Sequence, residues 1–367
     1  MDFIDLRSQY SALRTSVDAR IRRVLEHGQY ILGPEVLELE KQLAAYTGAR
    51  YCATVASGTE ALLICLMALG IGPGDEVITT PFTFVASVEV IVLVGARPVL
   101  VDVEADTANM DSTRLEAAIT QRTRAIMPVA LYGQPANMDE INAIASRHGL
   151  PVIEDAAQSF GATYRGLKSC HLSTIGCTSF FPSKPLGCYG DGGAIFTDDE
   201  SIDRACREIR VHGQSGRYQH TRIGVGGRMD TIQCAVLLAK LERFEWELQR
   251  RNVLSRLYSE RIRAAGAHAQ LLSLRPDRDS VWAQYTVLVE ERDGVQRRMQ
   301  ELGIPTAVHY PRSMHHQPAY AQYFKGASFP ASEALALKVL SLPFSADLQE
   351  AQLDQVVDAL AKATATS

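Results

Sequence analysis

The chain has 367 residues, of which 46% are hydrophobic and 22% are charged, and its formal net charge is −5. A chain of this length can bury a large core and form more than one domain. The charge is too evenly balanced to suggest a nucleic-acid-binding face, and the sequence has neither a signal-peptide core nor an apolar run of about 18 residues. The composition therefore indicates an ordinary soluble protein.

The seven cysteines are scattered along the chain without a CxxC pair. In a chain without a signal peptide, this distribution predicts reduced thiols and a location in the cytoplasm. Cys170, His171 and Cys177 could be imagined as metal ligands, but their spacing fits no zinc-binding pattern. We therefore expect no metal site.

Two helices are predicted at the N-terminus, over residues 9–27 and from Pro34 to Gly48. Proline is favoured at the first position of a helix and glycine just after the last, so both ends of the second helix are marked. The second helix is expected to present one apolar face, formed by Leu37, Leu43 and Tyr46.

A predicted strand over residues 51–55 leads into Ser57-Gly58-Thr59-Glu60, which opens an apolar helix over residues 61–69. A strand, a turn of small residues and a helix together can bind phosphate, because free backbone N–H groups and the helix dipole point at the anion. A simple helix cap by Ser57 or Thr59 explains the same residues equally well. One residue can serve both purposes, so both interpretations stay open.

Strands and helices then alternate along the chain. The predicted strands are 76–80, 97–103, 123–131, 150–154 and 194–197. The predicted helices are 85–94, 112–119 and 138–148, with 199–211 following the last strand. This alternation predicts an α/β fold with a mostly parallel sheet covered by helices on both faces. The GxGxxG fingerprint is absent, which argues against a dinucleotide-binding oxidoreductase.

Phe82 and Phe84 follow the predicted strand 76–80, at the edge where α/β sheets bind ligands. Either phenylalanine could stack on an aromatic cofactor, although most such residues belong to the core.

A glycine-rich segment, residues 224–227, leads into a long helix that begins near Asp230 and continues past Arg251. Its composition becomes rich in Arg and Glu after residue 242, and we place a domain boundary there. The prediction is a large domain over residues 1–245 and a small α+β domain over residues 246–367. The small domain's predicted strands are 282–290 and 304–310, and its helices are 292–302, 331–341 and 348–363.

The most informative stretch covers residues 152–194. An apolar run ends in Glu154 and Asp155, followed by Gln158, and a second run, 177–182, leads to Lys184. An acid at the carboxyl end of one strand and a lysine just past a neighbouring strand would meet in one crevice. A pyridoxal phosphate (PLP) site needs this pair, because the lysine forms a Schiff base and the carboxylate pairs with the pyridinium nitrogen. On these two residues alone, an ordinary surface ion pair is the more common explanation.

Motifs along nearly the whole chain carry a family resemblance. They are FIDL near the start, then ILGPEV, SGTEAL, GDEVITTPFTF, EDAAQS, SFFPSKPLG, GDGGAIFT, GGRMD, and the HYP and HHQPAY stretch near the end. With these motifs the chain resembles the nucleotide-sugar aminotransferases of the DegT/DnrJ/EryC1/StrS family, within the fold-type I PLP enzymes. The resemblance implies a PLP-dependent enzyme that uses L-glutamate as amino donor.

The resemblance also implies roles for individual residues. Lys184 would be the Schiff-base lysine, Asp155 the partner of the pyridine nitrogen, and Gln158 the residue near the ring oxygen. The remaining implied cofactor contacts are stacking on the ring by Phe84 and phosphate contacts by Gly58, Thr59 and Ser179.

Members of the family are homodimers with the site between subunits, so a homodimer is implied. Gly226 stands where the family often has an asparagine that reaches the partner's phosphate, and water or Arg228 could replace it. The GGRM form resembles the members that aminate 3-keto sugars with a C6 carboxylate, in O-antigen and lipopolysaccharide synthesis. The implied substrate is a UDP-2-acetamido-2-deoxy-3-oxo-hexuronate.

An anionic substrate of this kind needs cations, and arginine offers bidentate geometry to a carboxylate. We expect Arg228, His309 and Tyr310 to bind the substrate, with His316 and Tyr320 as weaker candidates. For each histidine, a structural hydrogen bond between the domains is an equally good explanation.

Three alternatives are kept beside this hypothesis. The first is an aminotransferase that acts on a 4-keto-6-deoxyhexose nucleotide. The second is a PLP-dependent sugar dehydratase, but those relatives carry histidine at the lysine position, whereas this chain has Lys184. The third is a sugar-binding regulator, which would be expected to have lost Lys184 or Asp155, and this chain retains both.

Overall fold

The computed structural model describes residues 1–365. The α-helices are α1 (Leu6–His27), α2 (Pro34–Thr47), α3 (Gly58–Ala68), α4 (Ala86–Leu93), α5 (Met138–Arg147), α6 (Glu200–Ile209), α7 (Thr231–Ala264), α8 (Arg292–Glu301), α9 (Pro330–Lys338) and α10 (Glu350–Thr364). The strands are β1 (Tyr51–Val55), β2 (Glu76–Thr79), β3 (Arg97–Leu100), β4 (Thr123–Ile126), β5 (Ile153–Asp155), β6 (Thr163–Tyr164), β7 (Leu167–Lys168), β8 (Ile175–Ser179), β9 (Gly193–Thr197), β10 (Gln214–Gly216), β11 (Gln219–His220), β12 (Ala269–Leu271), β13 (Tyr285–Val289) and β14 (Val339–Leu342). None of these helices has the length and apolar character needed to span a membrane.

Seven strands form the central sheet, in the order β3-β2-β4-β5-β8-β9-β1. The two halves of the sheet join where β4 runs beside β5, through parallel bridges from Ile126 to Val152 and from Val129 to Asp155. Strand β9 is antiparallel to both of its neighbours, and the other strands run in one direction. The predicted mostly parallel sheet is therefore confirmed.

Strand β9 illustrates why both faces of the sheet are covered. Successive side chains of a strand point to opposite faces. Ala194 and Phe196 pack with α2 and the start of α7 on one face. Ile195, between them, packs with α3, α4 and α6 on the other. A strand buried on both faces carries consecutive apolar residues, as residues 194–196 of the predicted strand 194–197 do.

The C-terminal part of the chain is built on a second, antiparallel sheet with the order β12-β13-β14. Its core includes Leu254, Tyr258 and Ile262 of α7, together with residues of α8 and α10. The first turns of α7 instead contribute Leu237 and Leu238 to the core below the central sheet. One continuous helix thus supplies both cores, and the predicted boundary at residue 245 lies inside it and stays a prediction.

Several predictions differ from the structure. The predicted strands 97–103 and 123–131 end earlier, at Leu100 and Ile126. The predicted helix 112–119 consists of two short 3-10 turns, Ser112–Arg114 and Glu116–Ala118. The predicted strand 304–310 makes only one bridge, from Ala307 to Ser341. The predicted helix 331–341 ends at Lys338, because the next residues pair with β13 as strand β14. Leu37, expected on the buried face of α2, is 67% exposed, whereas Leu43 is buried.

All seven cysteines are buried and none forms a disulfide. Those of α3 and β8, Cys65 and Cys177, place their sulfur atoms 3.4 Å apart inside the core.

Candidate active site

A cavity of about 410 Å³ lies where β5 and β8 end and α3 begins. Parallel α/β sheets bind ligands at this edge because loops, and not strands, meet there. The cavity is lined by every predicted cofactor residue and by two of the predicted substrate residues: Gly58, Thr59, Phe84, Asp155, Gln158, Ser179, Lys184, His309 and Tyr310. Arg228, His316 and Tyr320 are not among the lining residues.

Asp155 ends strand β5 and is buried, 5% exposed. Burial raises the pKa of its carboxyl group. The hydroxyl of Ser87 donates a hydrogen bond of 2.8 Å to Oδ2, the N–H of Ala157 donates one of 3.2 Å to Oδ1, and the charge of Lys184 acts in the same direction. These three interactions oppose the effect of burial and favour the carboxylate.

Lys184 lies in the loop after β8, where its N–H donates to the carbonyl of Phe181 at 2.9 Å. Burial lowers the pKa of its amine to about 8, although the nearby charge of Asp155 raises it. An amine with this pKa is partly neutral near physiological pH and can accept a proton there.

The start of α3 and the end of β8 approach so closely that a side chain at residue 58 is excluded. A Cβ atom at Gly58 would lie 2.6 Å from the Cβ of Ser179. The hydroxyl of Ser57 caps the helix by accepting a hydrogen bond of 3.1 Å from the N–H of Glu60. The helix provides no backbone acceptor for the N–H groups of Gly58 and Thr59. The cap and the potential anion site therefore use different groups of one turn.

The two phenylalanines after β2 have different environments. Phe82 is 1% exposed and belongs to the core, whereas Phe84 is 51% exposed and lines the cavity. The ring of Phe84 lies 6.0 Å from the ring of Tyr310. Of the two, only Phe84 is available to a ligand.

The side-chain amide of Gln158 links two segments that line the cavity, one near Tyr132 and one near Tyr310. Its Oε1 accepts a hydrogen bond of 2.7 Å from the N–H of Tyr132, and its Nε2 donates one of 3.2 Å to the hydroxyl of Tyr310. The hydroxyl of Tyr132 donates to the carbonyl of His309. The segment that carries His309 and Tyr310 is thereby fixed over the cavity.

His309 is bonded through Nδ1 to the hydroxyl of Ser341 at 2.9 Å. Burial, together with a smaller effect of the charge of Lys184, lowers the pKa of its imidazole to about 4. His309 is thus a neutral imidazole at neutral pH. It can exchange hydrogen bonds with a substrate, but it does not supply a positive charge in the ligand-free protein.

Arg228 lies just before α7, on the segment that connects Gly226 to Asp230. Its guanidinium reaches 4.0 Å from where a Cβ at Gly226 would stand. No hydrogen bond or ion pair of this guanidinium is found within residues 1–365.

Two lining or supporting residues carry no sequence motif that would have revealed them. Ser87 bonds Asp155 from the first turn of α4. Gln284, which lines the cavity from the residue before β13, is brought there only by the packing of the C-terminal part of the chain.

The residues of the cavity fit PLP. An aromatic ring nitrogen that carries a proton would find the buried carboxylate of Asp155, which retains acceptor capacity beyond its bonds to Ser87 and Ala157. A phosphate would find the α3 N-terminus with the hydroxyls of Thr59 and Ser179. Lys184 and the exposed ring of Phe84 complete the set.

Comparison with known proteins agrees with this fit. The sequence matches the DegT/DnrJ/EryC1/StrS aminotransferase family over residues 12–361. It is 53% identical over 360 residues to the UDP-2-acetamido-2-deoxy-3-oxo-D-glucuronate aminotransferase of Pseudomonas aeruginosa, with 98% of this chain and 99% of that protein covered.

Two solved structures extend the comparison. The first, a DegT/DnrJ/EryC1/StrS aminotransferase from Brucella abortus, superposes with a TM-score of 0.95 at 42% identity and covers 99% of both chains. The second, a Bacillus subtilis protein with bound cofactor PMP, the amino form of PLP, superposes with a TM-score of 0.89 at 29% identity. The alignment with the second covers 96% of this chain and 82% of that one.

Proposed function

The chain belongs to the PLP-dependent DegT/DnrJ/EryC1/StrS aminotransferase family, and we propose that it transfers the amino group of L-glutamate to the C3 ketone of a UDP-2-acetamido-2-deoxy-3-oxo-hexuronate. The observation that carries the proposal is the meeting of Lys184 and Asp155 in one cavity, in a chain that shares more than half of its residues with the Pseudomonas enzyme named for this substrate.

PLP, when bound, supplies an electron sink for charge that develops on the carbon next to the transferred nitrogen. Lys184 is the group that takes up and returns the proton, at Nζ, because its lowered pKa of about 8 lies near the working pH. Asp155 supplies a fixed negative charge at the floor of the cavity, and Ser87 holds that carboxylate in place.

The substrate carries a carboxylate and a pyrophosphate, so its site needs a cation beyond those that hold the cofactor. We propose that Arg228 supplies this cation and that His309 and Tyr310 donate hydrogen bonds to the sugar. Because His309 is neutral in the ligand-free protein, charge recognition falls to Arg228.

We further propose a homodimer in which Arg228 of one subunit completes the site of the other. The guanidinium of Arg228 has no hydrogen-bond or ion-pair partner among the 365 residues that the structure describes, and it lies outside the cavity of its own chain, which supports this arrangement. A Cβ at Gly226, where the family often has asparagine, would lie 3.3 Å from the ring of His212 and 4.0 Å from the guanidinium of Arg228. Because the proposed substrate is a nucleotide-linked hexuronate, we also propose that the enzyme acts in O-antigen sugar synthesis. We propose the cytoplasm as its location.

The test is glutamate-dependent amination, assayed with two ketosugars: the UDP-3-oxo-hexuronate and a nucleotide-linked 4-keto-6-deoxyhexose. We expect turnover of the hexuronate and loss of the cofactor's visible colour on addition of glutamate. Turnover of the neutral 4-keto sugar alone would overturn the substrate assignment. Dehydration without nitrogen transfer, or binding without turnover, would overturn the assignment as an aminotransferase.

A further inference from the structure

Two adjacent histidines and a glutamate meet outside the active-site cavity. His315 and His316 belong to the 3-10 turn Met314–His316, and Glu333 lies in the first turn of α9. Each of the three residues offers one ligand atom, a ring nitrogen or a carboxylate oxygen, and these atoms all lie within 4.8 Å of one another. None of the three residues lines the active-site cavity, so their convergence calls for a separate explanation.

The spacing of these atoms is close to that of ligands around one metal ion. Zinc binds nitrogen and oxygen ligands at about 2.0–2.2 Å in a tetrahedron, so two of its ligands stand roughly 3.3–3.6 Å apart. Nε2 of His315 and Oε1 of Glu333 are 3.0 Å apart, and the ring centroids of His315 and His316 are 3.9 Å apart. The widest pair needs to close by at most about 1.5 Å, which a small rotation of the exposed His316 side chain would supply.

The two segments that carry these ligand atoms are held together by the protein itself. The hydroxyl of Ser313 donates a hydrogen bond of 3.1 Å to the carbonyl of Ser332. Oε1 of Glu333 accepts hydrogen bonds from the N–H of Phe329 at 2.8 Å and from the hydroxyl of Ser328 at 3.1 Å. Metal-binding carboxylates usually have outer hydrogen bonds of this kind, which fix their orientation. The fold therefore assembles the three groups before any ion arrives.

The local charges favour a cation. Glu333 is paired with no lysine or arginine among residues 1–365, and its one ion-pair contact there is His315. Asp102, which is 4% exposed, likewise has no lysine or arginine partner within that range, and its charge interacts with His315. Two imidazoles and a carboxylate are typical ligands of zinc and similar transition ions, whereas magnesium and calcium prefer oxygen ligands alone.

We propose that His315, His316 and Glu333 bind one divalent transition-metal ion of the zinc class. With three protein ligands, the ion keeps one position for water. It fastens the segment that follows Tyr310 to α9, and so restrains a segment that lines the active-site cavity. The sequence predicted no metal site, because the two histidines are adjacent and only folding brings Glu333 to them.

An ordinary hydrogen bond between His315 and Glu333 is the competing explanation, and it gives His316 no part. The two explanations therefore differ in what the loss of His316 does. This side chain is exposed, so its replacement should leave the fold intact.

The test titrates zinc chloride into the PLP-loaded protein, first freed of metals with EDTA, at neutral pH in a calorimeter. One ion should bind per chain. His316→Gln and Glu333→Gln should each lower the affinity at least about tenfold, because even residues that only support metal ligands change affinity tenfold to a hundredfold. Zinc in excess should raise the melting temperature of the wild type by a few degrees, and that of His316→Gln by less.

His148→Gln is the matched control. His148 is also exposed, and its Nε2 lies 3.1 Å from Oε1 of Glu116, but no third ligand completes a cluster there among residues 1–365. This variant should bind zinc as the wild type does. Absence of binding to the wild type, equal affinity in all four proteins, or an equal loss in His148→Gln and His316→Gln would each overturn the proposed site. None of these measurements uses turnover, so they are independent of the proposed function.

Discussion

At Lys184, burial and a neighbouring carboxylate act in opposite directions on one amine. Burial dominates and lowers the pKa of Lys184 to about 8, whereas an ordinary lysine titrates near 10.4. Since only the neutral amine reacts with an acylating or arylating reagent, the labelling rate should follow this pKa.

We predict that trinitrobenzenesulfonate labels Lys184 of the cofactor-free protein with a midpoint near pH 8, read from the Lys184 peptide by mass spectrometry. Below that pH the amine is charged and labelling should fall. Asp155→Asn removes the charge that raises the pKa of Lys184, so the midpoint should move to lower pH. The urea-unfolded protein serves as control, and a folded midpoint near 10 would contradict the effect of burial.

Ser87 is a positioning residue for Asp155, and its hydroxyl also lies 3.0 Å from that of Thr83. Ser87→Ala removes a hydrogen bond to a charged group, worth about 1.5–3 kcal/mol, so kcat/KM should fall roughly tenfold to a hundredfold. The pKa of Asp155 should rise, because this bond lowers it, and the acid limb of the pH profile should move to higher pH.

The control for Ser87 is Ser255→Ala on α7. Ser255 is also buried, and its hydroxyl donates only to the backbone carbonyl of Asn252. An equal loss of activity without a shift of the pH profile in Ser87→Ala would indicate a merely structural role.

At the scale of elements, the contact between α3 and β8 gives a test of the cofactor cradle. Gly58→Ala favours the helix by intrinsic propensity, but the new Cβ would stand 2.6 Å from that of Ser179. We expect the steric clash to outweigh the gain in helix propensity, because α3 and β8 are both packed in the core and cannot move apart easily. We predict a loss of about 1–3 kcal/mol in the free energy of unfolding and weaker retention of PLP.

Denaturant unfolding measures this loss, with Gly72→Ala as the matched control. A Cβ at Gly72 would meet no atom closer than 3.7 Å, and its conformation is ordinary. Equal stability of the two variants would show that the approach of α3 to β8 is relaxed easily.

At the scale of the whole molecule, the proposal that two subunits share each site can be tested directly. When each variant is assayed alone, as a homodimer, Lys184→Ala and Arg228→Ala should each abolish or strongly reduce turnover. A mixed dimer of the two retains one site with both residues intact, because Lys184 and Arg228 of that site come from different chains. We predict that co-refolding the two variants restores up to about a quarter of wild-type activity, the share of intact sites expected from random pairing.

Asp155→Asn mixed with Lys184→Ala provides the control. Both residues belong to the cavity of one chain, so no mixed dimer contains an intact site. Recovery in this control, or none with Arg228→Ala, would contradict a site completed by the partner's Arg228.

The sequence by itself predicted the fold class, the family, and a set of cofactor residues that the structure brings to one cavity around Lys184 and Asp155, and the roles of these residues stay predictions. It could do so because apolar periodicity, glycine and proline positions and motif residues are local signals, and the sheet edge follows from their order. The lengths of β3 and β4 and the end of α9 were wrong, because strand pairing, a long-range contact, decides where an element stops.

Only the tertiary structure decided that Ser87 supports Asp155, that Gln284 reaches the cavity, and that Arg228 stands outside it. Gln284 comes from a segment far along the chain, which the hydrogen bonds of Val281 and Ala283 to Gly133 and Tyr132 bring beside the cavity. The pKa values of Lys184 and His309 likewise depend on burial, and burial is decided by tertiary packing, not by the identity of the residue.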